Sequence, residues 1–376
     1  YPRVYREWFV RRCFEALNEE NPQDNQVGAA LADAQQRNET GTHRCVGLVL
    51  ETRPDLITRE ELIFNRRLGA TKLQIGIQSM DDRVLALNRR GHSAAQSVEA
   101  ARLIRAAGYK LVAHWMPNLL GATLESDRAD FARLWLTGSI QPDELKIYPC
   151  QLLKSAELYH YWERGDYQPY TEMELINLLA DIKPSVPRYC RINRVIRDIP
   201  SPNVVAGNRN TSLRQDVARE LERRGTPCVC IRCREVRRGK VDIEALRLND
   251  LSYSTGSTEE HFLSFDAPED KLAGFLRLSL PLDGNILQLA DLEAAALIRE
   301  VHVYGQSVEV GAGLPGAAQH LGLGSRLLLE AERIARESGY ASLAVISAVG
   351  TRQYYSARGY EPGELYMVKP LNTFQE

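Results

Sequence analysis

The sequence contains no run of about 18 apolar residues, the length that a membrane-spanning helix needs, so no membrane partner is expected. It also shows no pattern of a secretory signal. Cysteine is sparse, with seven residues in 376, and outside a secretory context these thiols are expected to bind metal rather than form disulfides. The net charge of −2 excludes a strong electrostatic bias of the whole molecule. These features predict a cytoplasmic protein.

The apolar content, in contrast, is ample. With 376 residues, of which 44% are hydrophobic, the chain is long enough for two or three domains with separate cores. It opens on Tyr1 rather than Met, and an amphipathic helix is predicted directly afterwards, over residues 5–17. We therefore expect that the chain begins inside a domain.

Apolar strands alternate with helices from about residue 45 to residue 183, which is typical of parallel β/α units. The predicted strands are residues 45–50, 72–77, 109–115 and 144–148, and the predicted helices are residues 59–68, 83–87, 94–107, 124–136, 156–163 and 172–182. Such sheets place their chemistry at the carboxyl ends of the strands. Glu51 and Gln78 follow two of these strands and are candidates for lining a ligand pocket.

A strong helix begins inside a glycine-rich segment near the end of the chain. An apolar stripe predicts this helix over residues 325–338, and Gly339 ends it. Glycine lets the backbone come close to a ligand, and the free N–H groups of a first helical turn attract an anion. The segment predicts a pyrophosphate site; a glycine-rich loop that merely begins a helix is the alternative for an isolated G-x-G pattern.

The elements around this helix follow a specific order. A strand at residues 299–305 precedes a Q-x-x-G-x-G segment, and a buried strand at residues 341–346 follows the helix. A Y-Y-x-x-x-G-Y motif then occupies residues 354–360. This order resembles the GNAT acetyltransferase family over residues 246–376, and the resemblance implies that acetyl-CoA is the cofactor.

The GNAT resemblance also implies roles for individual residues. The pantetheine arm of CoA would pair with one segment of strand backbone: Glu300, Val301, His302 and Val303. The pyrophosphate site would comprise Gln319, Gly322, Leu323, Gly324 and Ser325. Tyr355 would be catalytic and also contact CoA, since a phenol can hydrogen-bond the sulfur or protonate a leaving thiolate. The alternatives are a core aromatic role for Tyr355 and an ordinary strand position for His302.

Segments of the first half resemble the radical S-adenosylmethionine domain of the Elongator catalytic-subunit family, in which such a barrel is fused to a GNAT domain. The similar segments are residues 47–55, 75–79, 88–92, 146–149 and 194–200. The resemblance implies a bacterial or archaeal stand-alone form and a pocket for S-adenosylmethionine.

One departure from that family concerns its [4Fe–4S] cluster, which three closely spaced cysteines bind in the first strand-to-helix loop. Cys13, Cys45 and Cys150 are isolated in this sequence. We therefore expect an N-terminally truncated chain that does not hold the cluster, although the intact protein would use both the cluster and S-adenosylmethionine.

Positive charge is concentrated in residues 186–240, which contain 14 Arg and Lys against 5 Asp and Glu. Four of these arginines recur at three-residue spacing: Arg188, Arg191, Arg194 and Arg197. A solvated surface is the ordinary explanation of such a run. Beside two catalytic modules, a phosphate-rich partner is the better interpretation, because arginine forms bidentate bonds with phosphate. The resemblance makes that partner tRNA, at its anticodon stem-loop.

Three cysteines within the basic stretch, Cys228, Cys230 and Cys233, form a C-x-C-x-x-C pattern. Structural zinc takes four such ligands in a tetrahedron. We predict Cys190 as the fourth ligand, ahead of His43, His160 and Cys150. Free buried thiols are the alternative.

The predicted architecture is α/β in three parts: a partial radical-SAM β/α barrel (1–185), a zinc-binding basic linker (186–245) and a GNAT-fold acetyltransferase domain (246–376). By resemblance, the enzyme uses acetyl-CoA and S-adenosylmethionine to place a carboxymethyl group on C5 of the tRNA wobble uridine by a radical route, with tRNA-stimulated acetyl-CoA hydrolysis. The alternatives are a protein lysine acetyltransferase with a scaffolding barrel and a catalytically silent tRNA-binding module. A homodimer or further subunits are compatible with the sequence.

Overall fold

The computed structural model describes residues 1–19, 30–197, 199–236, 242–304 and 322–371. Within these ranges the chain forms a five-stranded sheet, a seven-stranded sheet and a two-stranded ribbon. None of the helices in the same ranges has the length and apolar character that crossing a membrane requires.

The five-stranded sheet is entirely parallel, with the strand order β1-β2-β3-β4-β6. Its strands are β1 (Leu48–Thr52), β2 (Ala70–Gln78), β3 (Lys110–Trp115), β4 (Glu144–Ile147) and β6 (Arg191–Arg194), while β5 (Gln151–Leu153) and β7 (Val204–Gly207) form the ribbon. The helices of this half are α1 (Arg3–Leu17), α2 (Leu31–Asn38), α3 (Arg59–Arg67), α4 (Asp82–Leu87), α5 (Ala94–Ala106), α6 (Leu124–Arg133), α7 (Leu158–Glu163), α8 (Glu172–Ile182), α9 (Leu213–Arg224) and α10 (Ile231–Arg234). The predicted elements of residues 1–185 all occur, with ends shifted by a few residues.

The two faces of the parallel sheet differ in chemistry because successive side chains of a strand point to opposite sides. One face is apolar and packs into the core with side chains such as Leu73, Ile75 and Leu111. The opposite face is polar, and its side chains bond to one another across strands. Lys72 donates to Glu144 at 2.7 Å. The sheet therefore has one structural face and one face available for chemistry.

The seven-stranded sheet has the order β13-β14-β12-β11-β10-β9-β8. Its strands are β8 (Arg247–Ser254), β9 (Thr258–Ala267), β10 (Lys271–Pro281), β11 (Ala295–Val303), β12 (Ser342–Val345), β13 (Glu361–Pro362) and β14 (Met367–Pro370), accompanied by α11 (Leu323–Glu337) and α12 (Arg352–Ser356). Its neighbouring strands are antiparallel except for β11 and β12, which are parallel. Helix α11 packs on one face with its buried stripe, as its apolar spacing predicts.

The basic stretch is not a linker over its whole length. Residues 191–194 form β6, which pairs in parallel with β4, so the first sheet continues past the predicted boundary at residue 185. Strand β6 has an alternating pattern: Ile192 is fully buried, while Arg191 and Asn193 lie on the polar face. The first sheet thus includes residues that the sequence assigned to the basic linker.

A continuous core joins the two large sheets. Leu297 and Ile346 of the second sheet belong to the same buried cluster as Ala107 of the first half. The guanidinium of Arg66, on α3, donates to the carbonyls of Leu365 at 2.9 Å and of Ser347 at 2.6 Å. The two halves are thus packed face to face, with polar as well as apolar contacts.

Candidate active site

Strand β11 separates from β12 partway along its length. Strand β12 pairs with β11 only over residues 295–298, whereas β11 continues beside β10 as far as Val303. Among the described strands, the segment predicted to bind pantetheine therefore has a strand partner on one side only; its residues are Glu300, Val301, His302 and Val303. An extended amide-bearing arm fits such an edge by forming main-chain hydrogen bonds.

A β-bulge occurs where β11 leaves β12. Arg277 is opposite Glu300 and Leu278 is opposite Ile298, so Arg299 is the extra residue of the bulge. The side chains of both Arg299 and Glu300 consequently face the first sheet, while Val301 packs on the side of α11. Two neighbouring charged residues thereby enter the interface between the sheets.

The bulge places Arg299 in a buried ionic network. Its guanidinium binds both oxygens of Asp143, at 2.7 and 2.8 Å, and also donates to Glu260 at 2.7 Å. Arg277 lies 3.3 Å from the same aspartate. Burial alone would raise the pKa of Asp143, but the Arg299 and Arg277 charges outweigh burial and hold this pKa well below its usual range. Because Asp143 precedes β4, this network joins the two halves of the chain.

A cavity of about 260 Å³ opens beside this network, between the two sheets. The charged groups that line it include Lys72, Lys110 and Glu144 from the first sheet, and Arg277, Glu300 and His302 from the second. Burial lowers the pKa of His302, which favours its neutral form. The cavity therefore adjoins the separated segment of β11 and combines cations, carboxylates and an imidazole.

Helix α11 begins at Gly322, whose φ of 69° lies in the left-handed region that glycine adopts without strain. The first helical bond runs from the Arg326 N–H to the Gly322 carbonyl at 3.0 Å. The N–H groups of Leu323, Gly324 and Ser325 precede that bond and have no acceptor within the helix. These are the predicted pyrophosphate donors within the described residues; Gln319 lies outside them.

Two residues that the sequence reasoning missed lie at the start of α11. Arg358 donates from Nε and Nη2 to the Ser325 hydroxyl, both at 3.1 Å, and its guanidinium stacks 3.6 Å from the Tyr354 ring centroid. A Cβ on Gly324 would lie 2.5 Å from the Tyr354 hydroxyl, so the glycine is required by this close approach. Arg358 adds a positive charge to an anion-attracting helix end. Its position inside the Y-Y-x-x-x-G-Y motif was the available signal.

Tyr355 is buried between two other aromatic rings. It meets Tyr354 edge to face at 5.2 Å and Tyr360 at 5.9 Å between centroids. Burial raises the pKa of Tyr355, so its hydroxyl stays protonated at neutral pH and can act as a donor. Tyr355 therefore occupies a core position, and its role as a donor to CoA stays a prediction.

Ser347 follows β12 at the point where β11 and β12 separate. Its hydroxyl is buried and has no hydrogen-bond partner among the residues that the structure describes. Buried hydroxyl groups are almost always paired, so an unpaired one beside an open strand edge indicates a ligand contact. Together with the free N–H groups of α11 and with Arg358, this hydroxyl fits an acyl-CoA arm that runs between the two strands.

The carboxyl ends of the parallel strands carry a second set of polar groups. Gln78 ends β2 with a φ of 63°, and its buried Oε1 has no hydrogen-bond partner within the described part of the chain. Glu51 is exposed at the end of β1, 3.7 Å from the His114 ring. Burial lowers the pKa of Arg90, and the charges of Arg53 and Arg197 lower it further, so three guanidinium groups lie near one another at this edge.

Most arginines of the basic stretch are engaged within the protein. Arg188 binds Asp270, and Arg191 donates to Glu235 at 2.5 Å. Arg234 is buried and pairs with Asp266 at 2.7 Å. These three arginines are thus paired within the protein, whereas Arg197 of the predicted series is exposed.

The three cysteines of the C-x-C-x-x-C pattern converge, with sulfur atoms within 4.8 Å of one another. The Sγ atoms of Cys230 and Cys233 are 3.7 Å apart, and two sulfurs of a tetrahedral zinc site with bonds of about 2.3 Å are ~3.8 Å apart. Hydrogen bonds from Cys228 and Cys233 lower the pKa of Cys230, whereas the pKa values of Cys228 and Cys233 are raised, so one proton-poor sulfur is shared by the group. The donor set therefore fits zinc.

Cys190 does not complete this group. Its sulfur lies outside the three-sulfur cluster, and no further His, Cys, Asp or Glu of the described residues joins it. Cys190 is instead fully buried and tied to the cluster through its carbonyl, which accepts from the Ile231 N–H at 3.0 Å. Cys190 as the fourth ligand stays a prediction, since the sulfur group of the described residues comprises Cys228, Cys230 and Cys233.

Comparison with known proteins places these features in a family. The Radical SAM superfamily profile matches residues 24–134, and the Radical_SAM C-terminal domain profile matches residues 142–223. The tRNA uridine(34) acetyltransferase of Dehalococcoides mccartyi is 40% identical over 376 residues, which cover 98% of this chain and 80% of the relative. Elongator complex protein 3 of Homo sapiens is 36% identical over 377 residues, which cover 98% of this chain and 68% of the relative.

The chain belongs to the family of tRNA uridine(34) acetyltransferases and Elongator complex protein 3. Its fold agrees with a solved structure of that family, the archaeal Methanocaldococcus infernus Elp3 with an N-terminus deletion (1–46). That structure superposes with a TM-score of 0.88 at 35% identity, covering 99% of this chain and 87% of the solved one. The predicted family and its radical SAM domain are therefore confirmed.

The radical SAM profile implies S-adenosylmethionine and a [4Fe–4S] cluster in this family. The unpaired Oε1 of Gln78 at the carboxyl edge of the sheet fits a bound S-adenosylmethionine. The cluster does not fit the described residues. Their only group of three thiols is Cys228, Cys230 and Cys233, which lies at α10 and not in a first strand-to-helix loop.

Proposed function

We propose that this chain binds acetyl-CoA and the anticodon stem-loop of tRNA, as part of an enzyme that uses acetyl-CoA and S-adenosylmethionine to place a carboxymethyl group on C5 of the wobble uridine. Three of its relatives are tRNA uridine(34) acetyltransferases, which supports tRNA as the substrate. Hydrolysis of acetyl-CoA in the presence of tRNA is the partial reaction proposed for the described residues.

The observation that carries the proposal is the separation of β11 from β12 opposite the start of α11. The free strand edge offers hydrogen bonds to the pantetheine amides, and the α11 N–H groups, with Arg358, offer donors to the pyrophosphate. Ser347 and Tyr355 lie where the thioester end would arrive. The pantetheine, the pyrophosphate and the thioester of acetyl-CoA thus each have a chemically suited group nearby.

The RNA-binding part of the proposal rests on charge at the carboxyl edge of the first sheet. Arg53, Arg90 and Arg197 lie close enough to influence one another electrostatically. Guanidinium groups favour phosphate oxygens. An anticodon loop also suits a recessed site, because its bases are already single-stranded and can be turned into a pocket.

Zinc is proposed as a structural ion on Cys228, Cys230 and Cys233. These thiolates lie between β6 and the second sheet, and zinc there would hold α10 in place. We predict about one zinc per chain by elemental analysis. Cys230→Ser is expected to lower that value and the melting temperature; an unchanged zinc content would contradict the assignment. Cys13→Ser, at an exposed helix position, serves as the control.

The function is tested by calorimetry with acetyl-CoA and by release of free CoA thiol with and without an anticodon stem-loop RNA. We expect binding of acetyl-CoA and stimulation of thiol release by RNA. Stimulation by lysine-bearing peptides instead of RNA would favour a protein acetyltransferase. No uptake of acetyl-CoA by folded protein would refute the proposal.

A further inference from the structure

Water is a weak nucleophile at neutral pH, so hydrolysis of a thioester requires a base. The structure places one carboxylate, that of Glu300, both on the separated segment of β11 and in the wall of the cavity. We propose that Glu300 is the general base for acetyl-CoA hydrolysis, and that Lys110 of the first sheet keeps it inactive until an RNA phosphate draws the lysine away. This inference rests on the acetyl-CoA function proposed above.

Both carboxylate oxygens of Glu300 are occupied in the structure. Arg277 donates from Nε to Oε2 at 2.9 Å, and Lys110 donates from Nζ to Oε1. Arg277 is also bound to Asp143, within 3.3 Å, so it is held in place independently of Lys110. Displacement of Lys110 therefore frees Oε1 while Arg277 keeps the carboxylate oriented.

Lys110 has a second carboxylate within reach, which makes its displacement feasible. Its Nζ lies 3.7 Å from Oε1 of Glu144, and Glu144 is itself bound by Lys72 at 2.7 Å. Two lysines and two carboxylates thus share one cavity of about 260 Å³. A phosphate oxygen entering this cavity competes with Glu300 for the ammonium groups, because charge-assisted bonds to phosphate are strong.

The charged surroundings explain why Glu300 is a poor base at rest. The groups that face it or its partners are Lys110 on β3, Lys72 on β2, Glu144 on β4, Asp143 before β4, Arg277 on β10 and His302 on β11. Burial alone would raise the pKa of Glu300, but the Lys110 and Arg277 charges outweigh burial and lower it to about 2. Loss of Lys110 shifts this pKa back towards its ordinary value, which strengthens the base.

The proposed step is complete without a further reactant. Oε1 of Glu300 takes a proton from water while the water oxygen attacks the carbonyl carbon of the thioester. The C–S bond then breaks, and the proton passes from Glu300 to the departing thiolate. The products are acetic acid and CoA.

The test compares Lys110→Met, Lys110→Arg, Glu300→Gln and the Lys110→Met/Glu300→Gln double variant with the unchanged chain. Release of CoA thiol is measured with and without stem-loop RNA, and acetyl-CoA affinity is measured by calorimetry. Lys110→Met is expected to raise RNA-independent hydrolysis about 10-fold and to abolish stimulation by RNA. Glu300→Gln is expected to lower hydrolysis about 100-fold in both backgrounds, the usual contribution of a general base.

Two further measurements separate this role from a structural one. The acidic limb of the pH–rate profile should move to higher pH in Lys110→Met, whereas Lys110→Arg should resemble the unchanged chain. Lys369→Met is the matched control, because Lys369 also forms a partly buried pair, 2.8 Å from Glu332, outside the cavity. It should leave hydrolysis and its stimulation by RNA unchanged.

Each outcome decides a different question. If the unchanged chain takes up no acetyl-CoA, the proposed function fails and this inference with it. If acetyl-CoA binds normally but Glu300→Gln hydrolyses it within twofold of the unchanged chain, the inference alone is overturned. An unaltered basal rate and pH profile in Lys110→Met would overturn the control by Lys110. If Lys110→Met does not fold, Lys110→Gln replaces it with the same expectations.

Discussion

Arg358 changes the picture of the anion site at the scale of single residues. The sequence placed the pyrophosphate on backbone N–H groups alone, whereas the structure adds a guanidinium that stacks on Tyr354 and bonds to Ser325. A stacked arginine is pre-organised, so it loses little side-chain entropy on binding phosphate. The site therefore has two separate sources of attraction for a pyrophosphate: the N-terminal end of the helix and a fixed guanidinium.

Removal of the hydroxyl of Tyr355 tests the thioester end of the site. Tyr355→Phe keeps the buried ring and its contacts with Tyr354 and Tyr360, so folding should be unchanged. We expect acetyl-CoA turnover to fall about 10-fold or more, because a hydrogen bond to the leaving sulfur is lost, while RNA affinity stays the same. Tyr340→Phe, which removes a hydroxyl beyond the far end of α11, should retain full turnover. Equal kinetics of both variants would contradict the assignment of Tyr355.

At the scale of elements, the start of α11 depends on a glycine for steric reasons. A methyl group at position 324 would overlap the Tyr354 hydroxyl at 2.5 Å, and Tyr354 supports Arg358. Gly324→Ala is therefore expected to weaken acetyl-CoA binding about 10-fold, measured by calorimetry. Leu329→Ala, at an exposed position of the same helix, should bind normally. Normal affinity in Gly324→Ala would show that the close approach is not needed.

The elements show what the sequence could and could not predict. Periodic apolar spacing located most helices, since that pattern is local, but it located fewer than half of the described strands; β8, β9 and β10 were not predicted. Strand β6 was missed because Ile192 is its one fully buried side chain among polar neighbours. The bulge at Arg299 was also missed, since it depends on pairing with β10 rather than on a local pattern. A spacing rule also could not show that the sulfur of Cys190 lies outside the group formed by Cys228, Cys230 and Cys233.

At the scale of the whole molecule, the interface between the sheets is held by buried charges. Asp143 and Arg299 come from different halves and are both essentially inaccessible to solvent. Removing one partner of such a pair leaves the other charge buried and uncompensated. The interface is therefore expected to be intolerant of neutral substitutions.

Asp143→Asn tests this expectation. The free energy of unfolding should fall by about 3–5 kcal/mol, the usual cost of breaking a buried pair, measured by denaturant titration. Asp181→Asn is the control, because Asp181 pairs with Arg128 and Arg224 in a partly exposed position and should cost about 1 kcal/mol or less. Equal losses in the two variants would contradict the importance of the network.

The same interface predicts acid sensitivity. The pKa of Glu300 is about 2 in the folded chain, below its ordinary value of 4.5, and that of Asp143 is also lowered. The contribution of these two carboxylates to the free energy of unfolding is therefore complete at neutral pH. It is lost as the pH falls from about 4.5 towards 2. In Asp143→Asn the decline in stability over this interval should be smaller than in the unchanged chain, as thermal unfolding at each pH would show. A parallel decline in both would argue against it.

The arginines at the carboxyl edge should dominate RNA binding over the paired arginines of the basic stretch. Arg197→Glu is expected to weaken stem-loop affinity and to reduce the slope of log K against log salt by about one, as the loss of a phosphate contact does. Arg219→Glu, on α9 and already paired with Asp216, should have a much smaller effect. Equal slopes in the two variants would remove this edge from the binding surface.

The shared core between the sheets has a consequence for engineering. Leu297 and Ile346 are buried against the other half of the chain, and Arg66 reaches across to carbonyls of the second half. A fragment cut at residue 246 would expose this apolar surface and would leave those carbonyls without their hydrogen-bond donor. We therefore expect such a fragment to aggregate. Chimeras between family members would need to exchange both contacting surfaces together. The two halves would therefore have to change together during evolution, even though each resembles a separate fold.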